Sequence, residues 1–237
     1  FLKCNIRYES IMNDNNALGC NLLEVTRDYP TDLKIYILTQ SHSRNYFKKC
    51  KRKLQWLPLN TKQNRIEAAA KYYFICNYSV YGKTENYNNR QDYKNYQKRV
   101  DALSEISSLL QNVKIKKNDA IYCLQTLKAH KNCLIYIDPP YIFSEDYYKK
   151  QNKDGKVFTS HRALRNHVIR LSKNNVVFVS YRITTSNTMK KNGHTDAKLQ
   201  STLDRLYLEQ GFHFSLKRLK NTNNQIEILL ASVPFTD

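Results

Sequence analysis

Four consecutive residues, Asp138-Pro139-Pro140-Tyr141, follow the most strand-like run of the chain, Cys133-Leu134-Ile135-Tyr136-Ile137. Pro139 fixes its own φ, and the residue before each proline is held in the extended region, so this segment has little conformational freedom. Neither proline carries an amide hydrogen, and the backbone there offers carbonyl oxygens. An acidic side chain, a rigid row of acceptors and an aromatic ring can accept two hydrogens and stack on a flat group. The exocyclic amine of a nucleobase has those features. An adenine amino nitrogen is a poor nucleophile, because its lone pair is delocalised into the ring. If the Asp138 carboxylate and the Pro139 carbonyl each accept one amino hydrogen, the lone pair localises toward the third direction, where a sulfonium methyl can be placed. Such chemistry rests on positioning and on stabilising positive charge that develops on nitrogen. Tyr141 would stack on the base once it is flipped from the duplex.

The elements that must hold this loop are legible in the hydrophobic spacing. The apolar run at 133–137, bounded by prolines, predicts a strand buried on both faces, as in parallel α/β sheets. Ligands gather at the carboxyl ends of such strands, where Asp138 stands. Leu18, Leu22 and Val25 predict a helix over 17–28 that Pro30 interrupts, with another over 33–38. Further helices are expected at 65–76, 99–111, 122–127, 161–172 and 197–209, and strands at 113–115 and 176–181. Segments 212–219 and 225–232 read as a terminal hairpin. The stretch 41–64 is basic and mostly polar, with Trp56-Leu57-Pro58-Leu59 as a local apolar turn. Segment 142–160 suits a loop that closes over a flipped base.

Taken together, these segments resemble the DNA adenine-N6 methyltransferase family that includes the bacterial Dam methylases, which carry the Asp-Pro-Pro-Tyr tetrapeptide and use S-adenosylmethionine. Ser10-Ile11-Met12-Asn13-Asp14-Asn15-Asn16 resembles the family's strand ending in an acid that grips the cofactor ribose. Asn118-Asp119-Ala120-Ile121 resembles the segment with an Asp beside the cofactor adenine. Residues 65–82 resemble the helix that enters the target-recognition region, and Phe158, His161 and Val176 to Ser180 the part after the catalytic loop. Gln225 to Leu230 resembles the closing strand. The resemblance implies an α/β fold: a Rossmann-like methyltransferase sheet formed by 1–34 and 113–237, with a mainly helical target-recognition insertion at 35–112. It implies cofactor contacts from Asp14, Asp119, Ala120, Ile121 and Asp138, and a catalytic loop of Asp138, Pro139, Pro140 and Tyr141. Double-stranded DNA is the implied substrate, and a cognate restriction endonuclease a candidate partner.

The family's first strand and its Phe-x-Gly-x-Gly loop have no counterpart before the segment that Phe1-Leu2-Lys3 resembles. Five glycines, at 19, 82, 155, 193 and 211, form no close pair. The expectation is a fragment; a separate chain that supplies the strand, or a catalytically inactive nucleic-acid-binding relic, are the alternatives. A methyltransferase acting on RNA or on another amino group is a further rival.

A formal net charge of +19 over 237 residues points to a polyanionic partner, since lysines and arginines gain affinity by releasing phosphate counterions. The polar, tyrosine-rich stretch 77–98 is the expected DNA-facing part, through Asn77, Tyr78, Lys83, Arg90 and Lys94: basic side chains grip phosphates, and Asn and Arg read base edges. The family commonly has Arg at the position of Tyr78. Cysteines at 4, 20, 50, 76, 123 and 133 have no CxxC spacing, so neither a zinc cluster nor a disulfide framework is expected, and the compartment reads as reducing cytoplasm. No apolar stretch reaches membrane-spanning length, and no membrane partner is expected.

Overall fold

Short polar caps and apolar stripes account for the helices, and the described strands form one sheet in each of two units. The computed structural model describes residues 9–79, 84–88, 93–140, 142, 160–183, 201–208, 215–220 and 226–232. The fold is α/β, and the chain divides into two compact units, Phe1–Asn118 and Asp119–Asp237.

In the first unit, β1 (Ser10–Asn13) pairs in parallel with β2 (Val113–Lys116), Ser10 opposite Val113 and Asn13 opposite Lys116. Among the described residues, these helices lie between them in sequence: α1 (Ala17–Asp28), α2 (Pro30–Leu38), α3 (Arg44–Leu54), α4 (Lys62–Asn77), α5 (Tyr93–Asp101) and α6 (Leu103–Leu110). Asn16, Ser43 and Thr61 each cap a helix by accepting backbone amides with their side-chain oxygens, which satisfies donors that the first turn leaves open. Pro30 starts α2 rather than only ending α1, because a proline's missing N–H costs nothing at the first helical position. α4 is the centre of the unit, with α1, α2 and α3 all packed on it. Its Ala68, Ala69 and Ala70 are buried, small enough to let neighbouring backbones approach.

One element was not foreseen and one expectation is corrected here. The basic stretch at 41–64 contains a regular helix, α3, whose Phe47 and Cys50 are buried in the unit's core. The expected helix at 99–111 is two helices, α5 and α6, separated at Ala102.

In the second unit, α7 (Ala120–Thr126) and a turn of 3-10 helix at Leu127–Ala129 precede β3 (Leu134–Ile137). After α8 (His161–Ser172), β4 (Val176–Ile183) lies parallel to β3, Leu134 opposite Val176 and Ile137 opposite Val179. β5 (Ser215–Lys220) and β6 (Ile226–Ala231) form the expected antiparallel hairpin, giving the strand order β3-β4-β6-β5. Residues 201–208 are helical, and their last five form a π-helical turn. Leu164, Val168, Val177, Val179, Tyr181, Tyr207, Ile228 and Leu230 form the core. Among the described residues, β1 is paired on one side only, by β2, and β3 on one side only, by β4.

Candidate functional site

The carboxyl end of β3 carries the tetrapeptide. β3 alternates rather than being buried on both faces: Ile135 is 8% exposed, while Leu134 is 44% and Tyr136 57% exposed. A run of apolar residues looks the same in sequence whether one face of a strand is covered or two, and here the described neighbours cover one. Asp138 is exposed, Pro139 is buried, Pro140 is half-buried, and Ile142 returns to the core. Tyr141, the proposed stacking ring, lies outside the described residues.

Ser180 supports the Asp138 carboxylate from the neighbouring strand. The register sets Val179 beside Ile137, so the next residue on β4 reaches the strand end, and Ser180 Oγ donates to Asp138 Oδ1 at 3.4 Å. Ser180 is itself fully buried, which makes the hydroxyl a fixed partner rather than a mobile one. Tyr181, next along the strand, projects to the opposite face. Its hydroxyl lies 3.0 Å from that of Tyr207 and 3.3 Å from His161 Nδ1. Both tyrosines are fully buried, and burial pushes the Tyr207 phenol up to about 12. This chain of polar groups holds α8 and the 201–208 segment against β4. Neither Ser180 nor Tyr207 stands out in the sequence. A serine inside an otherwise apolar strand, one residue past the position opposite Ile137, is the signal that could have found the first.

The two cofactor acids sit in different local settings. Asp14 follows β1 with its amide bonded to the Lys116 carbonyl at 3.1 Å, and it is exposed. Its Oδ1 accepts the Asn16 amide at 2.8 Å, and its Oδ2 has no hydrogen bond among the described residues. Just before it, Asn13 and Asn118 exchange two bonds: Asn13 Nδ2 donates to the Asn118 carbonyl at 3.0 Å, and the Asn118 amide donates to Asn13 Oδ1 at 3.2 Å. This clasp fixes the paired ends of β1 and β2, so Asp14 leaves a rigid edge. Asp119 is the N-cap of α7, and its Oδ1 accepts the amides of Ile121 at 2.9 Å and Tyr122 at 3.1 Å. Ala120 and Ile121 are half-buried, with Ile121 against the second unit's core. A carboxylate oxygen at Asp14 is a fitting acceptor for ribose hydroxyls. At Asp119 only Oδ2 is left for such a role.

Of the expected nucleic-acid residues, Lys83 and Arg90 lie outside the described residues. Lys94 is exposed on α5. Asn77 accepts from Arg99 at 2.9 Å and donates to the Tyr73 carbonyl at 2.9 Å, so its amide is engaged within the unit. Tyr78 is not on the surface. It is 4% exposed, stacked on Phe74 at 4.5 Å and parallel to Tyr87 at 6.0 Å, and its hydroxyl lies 2.9 Å from His42 Nδ1. An aromatic ring contributes far more by filling a core than by lying in water, which explains why this tyrosine turned inward. Burial pushes its phenol up to about 12.

The five described cysteines are free thiols. No described helix is long and apolar enough to cross a membrane. No protein-family model matches the chain, and no curated protein matches it.

Proposed function

We propose that this chain is an S-adenosylmethionine-dependent methyltransferase that acts on the N6 amino group of adenine in DNA. Its sheets then belong to a Rossmann-like methyltransferase fold with an inserted helical target-recognition region. One observation carries the reading: the exposed Asp138 carboxylate leaves a parallel strand, is supported by a buried serine, and is followed by two residues without amide hydrogens.

S-adenosylmethionine, when bound, supplies a methyl group on a sulfonium. The chain supplies position and charge. Asp138 and the Pro139 carbonyl accept the two amino hydrogens and turn the nitrogen lone pair toward the donor. The Asp138 carboxylate stabilises the positive charge that grows on nitrogen as the N–C bond forms and the S–C bond breaks, and it is placed to take the proton that nitrogen then sheds. Ser180 fixes the direction of that carboxylate. Tyr141 holds the flipped base. On this reading Asp14 would accept from the cofactor's ribose hydroxyls, and Asp119, with Ala120 and Ile121, would border its adenine.

The test is methyl transfer to duplex DNA, with the product nucleoside identified. N6-methyladenine is expected, and Asp138→Ala is expected to lower its formation by about 10²–10³-fold or more. Equal transfer by the variant sinks the site. Methylation found instead on RNA or on cytosine sinks the adenine-in-DNA part, and DNA binding without transfer favours a non-catalytic role.

A further inference from the structure

Among the described helices of the first unit, α3 is the richest in cations. Six of its eleven residues are cations, Arg44, Lys48, Lys49, Lys51, Arg52 and Lys53, and none is acidic. Helical geometry sorts them. Phe47 and Cys50 point into the core, and Arg44, Lys48, Lys49 and Arg52 are exposed on the opposite side, with Trp56 just beyond the helix end. Trp56 is 83% exposed and is the protein's one tryptophan.

Two clefts flank the helix. Tyr46, Lys49, Arg52, Lys53 and Trp56 border one of about 610 Å³; Arg44, Lys48, Lys51 and Arg52 border the other, of about 560 Å³. Glu67 and Glu85 are the acids on their rims, and Glu67 is engaged by Lys71 at 3.5 Å. Among the described residues, Arg44, Lys48, Lys49, Arg52 and Lys53 take part in no ion pair with the protein's own carboxylates.

The helix does not need this charge for itself. Cations in the last turn, Lys51 to Lys53, complement the helix dipole, but Arg44 in the first turn opposes it. Positions four apart on a helix are separated by about 6 Å along its axis, so Arg44, Lys48 and Arg52 form a row about 12 Å long. A membrane-surface helix buries its apolar face in lipid, but the apolar face of α3 is already occupied by the protein's core. What faces outward is a row of cations suited to a dense line of negative charge, and a duplex backbone provides one.

We propose that α3 grips the sugar-phosphate backbone of duplex DNA through Arg44, Lys48, Lys49 and Arg52, with Trp56 against the DNA at the end of the row. This deepens the reading of DNA as substrate and rests on it.

The test uses the full chain, a short DNA duplex and Trp56 emission. The parent is expected to bind with a change in Trp56 fluorescence. The combined variant Arg44→Gln, Lys48→Gln, Lys49→Gln and Arg52→Gln is expected to flatten the log–log salt dependence by about 3 to 4, because each phosphate contact contributes about 0.9 to the slope. Its affinity at low salt should fall accordingly, by about 10²-fold or more. These positions are exposed and glutamine favours helices, so circular dichroism should be unchanged; if it falls, Lys48→Gln alone, with an expected slope change of about 0.9, decides. Duplex bound with an unchanged slope in the variant, or with silent Trp56, overturns the placement on α3 alone. No duplex bound by the parent overturns both this placement and the DNA reading. A Trp56 blue shift on phosphatidylserine vesicles with no response to duplex assigns the face to a membrane and overturns the proposal.

Discussion

Asp119 and Asp138 each follow a β-strand, β2 and β3, yet their carboxylates are used differently. After Asp119 come Ala120, Ile121 and Tyr122, whose backbone begins α7, and Asp119 Oδ1 takes two of their amides. After Asp138 come two prolines, so the amide two residues on, which Asp119 uses at Ile121, has no counterpart at Pro140. Asp138 has a partner on another strand, the Ser180 hydroxyl. The residues that follow an acid thus decide which backbone amides its carboxylate can take.

Opposite outcomes at these two acids break or sharpen the comparison. Asp138→Ala should remove methyl transfer by about 10²–10³-fold or more. Pro139→Ala introduces an amide behind the carboxylate and frees the backbone. A smaller loss of transfer, up to about 10²-fold, is expected from misplacing the acceptors, with the cofactor still bound. If Pro139→Ala transfers methyl groups as well as the parent, the rigid loop is not what positions Asp138.

Asp119→Ala should act mainly on stability, lowering it by about 0.5–2 kcal/mol through loss of the cap, as read by urea unfolding. Asp119→Asn separates the two roles of this acid, because asparagine caps as well as aspartate but carries no charge. Restored stability with weakened S-adenosylmethionine binding identifies a cofactor contact at Oδ2. Restored stability with unchanged binding leaves Asp119 a cap and nothing more.

A milder effect is expected at Tyr78, where the structure and the sequence reading part. Tyr78→Phe keeps the ring in its stack and deletes only the hydroxyl next to His42, so a loss of about 1 kcal/mol in stability is expected. Duplex affinity should not change, because the phenol does not reach the surface. A variant of parental stability with weaker DNA binding would return Tyr78 to the recognition surface.

What the sequence revealed and what it hid have separate physical origins. The strand at 134–137, the helices at 17–28 and 161–172 and the terminal hairpin are strongly periodic or bounded by prolines, and their existence was readable locally. α3 was hidden because six cations dominate its composition, although Phe47, Cys50 and Leu54 already held the three- and four-residue spacing of a helix with Ser43 as its cap. The break at Ala102 was hidden because apolar spacing continues from Val100 to Leu103 across it. At the site, Asp138 was legible from its tetrapeptide, whereas Ser180 is 42 residues away and meets it only through the register of β3 and β4. Tyr78 illustrates the same limit, since nothing local distinguishes a tyrosine that lies on DNA from one that packs on Phe74.

The smallest effect lies in that same ring cluster, at His42. Its imidazole packs against Phe74, Tyr78, Tyr93 and Tyr96, and burial lowers its pKa below the ordinary 6.5. Its Nδ1 lies 2.9 Å from the Tyr78 hydroxyl; an unprotonated Nδ1 can accept from that hydroxyl, whereas a protonated ring can only donate to it. Above the unfolded pKa, about 6.5, the ring is neutral in both states and this contribution is fully present. As pH falls below that value the unfolded chain takes up the proton first, so stability declines with falling pH until the lower folded pKa is also passed. His42→Gln lacks this proton. The stability advantage of the parent over the variant, measured by urea midpoints, should therefore narrow steadily from neutral pH into the acid range, while Tyr78→Phe should shrink the narrowing. An advantage that stays constant across that range would mean that His42 titrates alike in the folded and unfolded chains, and that the ring cluster holds it by packing alone.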